Sequence, residues 1–118
     1  MILVDTSVWI DHFRHGSSRL RTLLNDGLVL CHPFVIGELA CGNLKNRHAI
    51  LNLLDTLPES RFAEHFEVVH LVDAHRLYGC GLGWIDMHLL ASAVLTECGL
   101  WSLDKQLGHV AASLEIAG

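Results

Sequence analysis

Residues 2–7, ILVDTS, decide the fold. Three branched apolar side chains in a row read as a strand buried on both faces, and such strands belong to parallel sheets covered by helices. Asp5 closes the run, and Thr6 and Ser7 open the next segment. Short apolar runs recur at 28–31 (LVLC) and 100–103 (LWSL), separated by stretches with helical spacing. That alternation predicts an α/β fold with a mainly parallel sheet.

Helices are expected over 6–14, from Ser17 or Ser18 to Leu24, and from Pro33 to about Cys41. Asn46 can cap another, stopped by Pro58. EHFEVVHLVDAHRLYG reads as an amphipathic helix ending at Gly79, and 84–98 as a helix apolar on most sides, ended by Gly99. A last helix runs from Lys105 to about Leu114. Residues 61–63 are a weak strand candidate, and SLEIAG gives little sign of a final strand. With 118 residues and 51% apolar composition, one domain over 1–118 with a real core is expected.

No apolar run reaches the roughly 18 residues of a membrane span. No basic segment precedes the first apolar residues, so a cytoplasmic protein without a signal peptide is expected. The four cysteines form no CxxC pair and read as reduced thiols filling the core. The nine histidines follow no zinc pattern and read mostly as surface or helix-edge residues. The formal charge of −5 argues against holding nucleic acid by charge alone. Bound cations at concentrated acids would remove that objection.

Ligands of open parallel sheets bind beyond the carboxyl ends of the strands. Asp5 and Asp104 follow strands and emerge at that edge. Asp86 lies in the first turn of the 84–98 helix, and Glu38 inside the helix after the second strand. Helix capping accounts equally well for Asp5 and Asp104 taken singly, and a favourable helix dipole for Asp86. Glu38 has no such explanation. Two carboxylates ~5 Å apart repel by roughly 3 kcal/mol at an effective dielectric of 20. A hard divalent cation with oxygen ligands offsets that repulsion, and Mg²⁺ or Mn²⁺ so held suits phosphodiester hydrolysis.

These residues carry a resemblance. ILVDTSVWID, IGELACG, GLGWIDMHLLASAVL and LWSLDKQL together resemble the PIN-domain ribonucleases, and among them the VapC-type toxins of bacterial toxin–antitoxin pairs. The resemblance implies a three-layer α/β/α sandwich and a metal-dependent endoribonuclease. It places the Mg²⁺ or Mn²⁺ ligands on Asp5, Glu38, Asp86 and Asp104, with Thr6 and Ser102 as helpers that orient a carboxylate or water. Gln106 stands where some PIN domains carry a fifth acid. It further implies an RNA substrate, a homodimer, and a cognate antitoxin that inhibits by setting an Arg or Lys among the acids. The helices at 6–13 and 46–57 are candidates for the antitoxin's groove or for plain core. The alternatives are a PIN nuclease acting on other nucleic acid and a PIN module that acts by binding protein. A dehalogenase-type phosphatase would need an acid at position 7, where this chain has Ser7.

Overall fold

The computed structural model describes residues 1–118. Strand β1 (Ile2–Val4) leads into α1 (Thr6–His15) and α2 (Ser18–Asn25). Then come β2 (Val29–Leu30), α3 (Pro33–Cys41), α4 (Arg47–Asp55), α5 (His65–Ala74) and α6 (Trp84–Thr96). The last named elements are β3 (Gly99–Trp101) and α7 (Lys105–Ser113). The sheet order is β2-β1-β3, all parallel, with Leu3 opposite Leu30 on one side and Leu100 on the other. Those three leucines are buried, with Val4, Trp9, Leu39, Leu89 and Leu90 among the core around them. The architecture is the expected α/β sandwich. Strand β1 is central, but its carboxyl end is held by β3, with Val4 opposite Trp101 and Asp5 N–H donating to the Trp101 carbonyl at 2.9 Å.

Several boundaries differ from expectation. Residues 61–63 form no strand. Their amides turn to α6 side chains instead, Arg61 N–H to Thr96 Oγ1 (2.9 Å) and Ala63 N–H to Ser92 Oγ (3.4 Å). The α5 helix stops at Ala74, not Gly79, because Arg76 takes a left-handed conformation (φ 53°) and Leu77 N–H returns to the Val72 carbonyl. Helix α4 ends at Asp55, before Pro58 is reached, and Asn46 precedes it without a side-chain cap bond. Glu97, also left-handed (φ 57°), ends α6. That frees Gly99 for β3, where a Cβ would come 3.1 Å from the Gly118 Cα. The close approach lets residues 116–118 add a single parallel bridge, Leu100 to Ala117, beside β3. The final strand that the sequence barely hints at is reduced to that bridge. Of the thiols, Cys31 and Cys98 are buried, but Cys41 is exposed and Cys80 half-buried, so only two fill the core.

Candidate acidic active site

Asp5 occupies the N-cap position of α1, but its side chain makes no cap bond. Its carboxylate turns across the sheet edge instead. Ser7 Oγ and Ser102 Oγ both donate to Oδ2, at 2.8 and 2.7 Å, ordinary lengths for O–H···O bonds. The two hydroxyls are 3.3 Å apart. Ser7 Oγ also accepts from Leu103 N–H (2.9 Å), and Ser102 Oγ from Asp104 N–H (3.0 Å). The start of α1 and the turn after β3 are thereby stitched together around one buried carboxylate oxygen. Sequence reasoning ranked Ser7 below Thr6 and Ser102, yet Ser7 is the bridge. The available signal was its place two residues after Asp5 in a first helical turn.

Asp104 does cap its helix, with Oδ1 accepting from Leu107 N–H at 2.9 Å. Asp86, third residue of α6, accepts a long bond (3.4 Å) from Gly83 N–H. Burial pushes the Asp86 carboxyl above the ordinary range, and the negative charges of Asp5 and Asp104 push in the same direction. Glu38 is exposed on α3 and accepts from Thr6 Oγ1 at 2.9 Å. Asp5, Asp86 and Asp104 thus share an electrostatic neighbourhood, and Glu38 is tied to the residue that follows Asp5. No Lys or Arg pairs with any of the four; the salt bridge in the molecule joins His15 to Asp11. Gln106 donates to the Cys80 carbonyl (2.8 Å), which ties the Gly-rich 79–83 loop to α7.

As the side chains stand, no three His, Cys, Asp or Glu groups close to the spacing of a metal cage. Unneutralised carboxylates repel, and here Glu38 and Asp104 are held by bonds of their own. The donor chemistry nevertheless fits Mg²⁺ or Mn²⁺. Every donor is a hard oxygen, no basic side chain competes, and Mg²⁺ characteristically keeps several waters and takes only one or two carboxylates from the protein.

The starts of α3 and α6 also carry a feature the sequence did not suggest. His32 and His88 depart from the surface or helix-edge placement expected of most of the histidines and are buried. His32 caps α3 with its ring: Nδ1 accepts from Phe34 N–H (3.0 Å), so Nε2 carries the proton toward Ser92 Oγ (3.1 Å). Burial, with a smaller contribution from His88, lowers its pKa to about 4. His88 is likewise shifted down by burial and by His65, and its Nδ1 has no hydrogen-bond partner. Phe34 and Phe62 pack on both imidazoles, with ring centroids 4.7–5.3 Å apart, and Trp84 meets His88 edge-on at 5.1 Å.

The PIN domain family model matches residues 2–113. The chain is 47% identical over 118 residues to Ribonuclease VapC32 of Mycobacterium tuberculosis, in both strain CDC 1551 / Oshkosh and strain ATCC 25618 / H37Rv. Each alignment covers 99% of this chain and 95% of the relative. The ILVDTS strand and the acids beyond the sheet edge therefore sit in a known frame: this chain belongs to the PIN-domain family and, within it, to the VapC-type ribonucleases.

Proposed function

We propose that this single PIN-like unit, residues 1–118, is a cytoplasmic Mg²⁺- or Mn²⁺-dependent endoribonuclease, the toxin of a toxin–antitoxin pair. One observation carries the reading: a buried Asp5 carboxylate, held by two serines at the carboxyl edge of the sheet, confronts further acids with no basic partner. Asp5, Glu38, Asp86 and Asp104 would hold the ion, one or two of them directly and the others through its waters. A divalent cation there supplies charge to offset the phosphodiester and Lewis-acid activation for its hydrolysis. The protein's own contribution is orientation. Ser7 and Ser102 fix which oxygen of Asp5 is free, Thr6 fixes Glu38, and the Leu107 amide leaves Asp104 one unengaged oxygen.

The antitoxin reading has a specific support. A cavity of about 660 Å³ runs between α1, α3 and the start of α4, lined by Ile10, Phe13, Leu39 and Ile50, and Glu38 lies on its wall. An antitoxin segment seated on those apolar side chains could present an Arg or Lys to Glu38. Homodimerisation belongs to the same reading, as the family resemblance implies.

Purified protein is expected to cleave single-stranded RNA with Mg²⁺ or Mn²⁺, to stop when the ions are chelated, and to arrest a bacterial host on expression. Asp86→Asn is expected to abolish both effects. Cleavage that persists in that variant would sink the assignment. Ser7→Ala and Ser102→Ala test the orienting role. Each is expected to weaken Mn²⁺ affinity by roughly 10- to 100-fold, measured by calorimetry, as removal of outer-shell partners does. Unaltered affinity in both would show that the serines serve folding alone.

A further inference from the structure

The ring cluster at the starts of α3 and α6 is placed to do more than pack. Phe62 is 49% exposed and Trp84 is 42% exposed. Phe62 lies tilted 30° over His32 and 39° over His88, both centroids 5.3 Å away. Two buried imidazoles thus pack against a ring that keeps about half of its surface exposed. Trp84 rests on His65 at 5.0 Å and on the edge of His88. The backing is rigid, because His32 is fixed at both nitrogens and both histidines are buried.

The position is equally specific. Trp84 opens α6 two residues before Asp86, and Phe34 sits one helical turn before Glu38 on α3. The helix starts that carry the rings also carry two of the four acids. Helices that pack antiparallel to parallel strands begin at the carboxyl edge of the sheet, so rings and acids share that edge.

We propose that Phe62 and Trp84, whose planes are steeply inclined to one another, form a two-ring platform that stacks on neighbouring unpaired bases of the RNA chain at the sheet edge that also carries the acids. The proposal rests on the ribonuclease reading above and adds how the substrate is gripped. Aromatic side chains take up splayed bases of single-stranded RNA by stacking, whatever the base. Such a grip answers the charge of the molecule. With eight Lys and Arg against thirteen Asp and Glu, the net charge opposes RNA binding and charge alone supplies little affinity. Stacking supplies it without cations. The imidazole-backed Phe62 ring suits a base, and its position on His32 and Phe34, at the sheet edge that carries the acids, suits substrate better than a second copy.

The test uses full-length protein and a single-stranded RNA oligonucleotide, with binding measured in the presence of Ca²⁺ and cleavage in Mn²⁺. Phe62→Ala and Trp84→Ala are each expected to raise Kd and KM by about tenfold. Phe62→Tyr and Trp84→Phe, which keep a ring, are expected to stay within about threefold of wild type. An abasic nucleotide beside the cleaved bond should weaken wild type by a similar factor and should weaken Phe62→Ala no further. The abasic arm needs no variant to fold. Equal abasic losses in wild type and Phe62→Ala would overturn the platform. So would variants that lose self-association or antitoxin binding while RNA Kd is unchanged. If Asp5→Asn silences cleavage but the ring variants bind RNA normally, the platform fails and the nuclease reading stands. Wild type that neither binds nor cleaves RNA overturns both.

Discussion

Asp5→Asn is expected to lower kcat/KM for RNA cleavage by about 10²- to 10³-fold while leaving the fold intact. The asparagine side chain keeps a carbonyl oxygen that can accept from Ser7 and Ser102, so the bridge between α1 and the turn after β3 survives. What disappears is the charge at the centre of the site. In chelator the variant should melt no lower than wild type, because Asp86 loses a like-charged neighbour. Asp5→Ala should behave differently. It strands two half-buried hydroxyls without their acceptor, which lowers stability by about 1–3 kcal/mol in all. A matched control is Asp11→Asn, whose carboxylate touches only exposed His15; cleavage and melting should both stay near wild type. Loss of cleavage in Asp5→Asn accompanied by unfolding would remove the catalytic interpretation of this residue.

The second large effect is on acid stability. His32 is neutral in the folded protein down to about pH 4, whereas an ordinary histidine protonates near 6.5. Between those values the unfolded chain binds the proton and the folded chain does not. Stability from this group is therefore complete above pH 6.5 and lost as pH falls toward 4. The span corresponds to on the order of 3 kcal/mol. His88, shifted in the same direction, adds to the loss. Protonation of His32 would also remove the Nδ1 lone pair that accepts the Phe34 amide. His32→Asn can still cap α3 but does not titrate, so its urea stability, measured without divalent ions, should fall less steeply over this range. Parallel pH profiles for the two proteins would contradict the assignment of the acid sensitivity to His32.

Both predictions bear on what the residues alone disclose. The sheet was legible because ILV, LVLC and LWSL lack polar alternation, and the helix starts because Pro33 and Ser17 have local chemistry that fixes them. The acids were legible because they interrupt apolar segments. Capping, in turn, was decided only by geometry: Asp104 caps α7, whereas Asp5 in the equivalent place does not, since Ser102 competes for it from 97 residues away. No local pattern reports such a competition. His32 and His88 escaped for the same reason. A histidine in a sequence looks polar; here the Phe34 amide, Ser92 and the surrounding rings make burial tolerable. The missing strand at 61–63 is another long-range outcome, because Ser92 and Thr96 of α6 take amides that a sheet neighbour would have used.

The Ser7–Ser102 contact joins residues 95 apart in sequence. During synthesis the first strand and its acid leave the ribosome early, but the hydroxyl that completes their arrangement is made much later. A nascent chain ending before Ser102 lacks the turn after β3, so Asp5 has no partner across the sheet and Asp104 does not yet exist. Until then the chain, within reach of messenger and ribosomal RNA, has no assembled centre. Whatever cutting power the finished fold has is delayed by its own topology until Ser102 and Asp104 have cleared the exit tunnel.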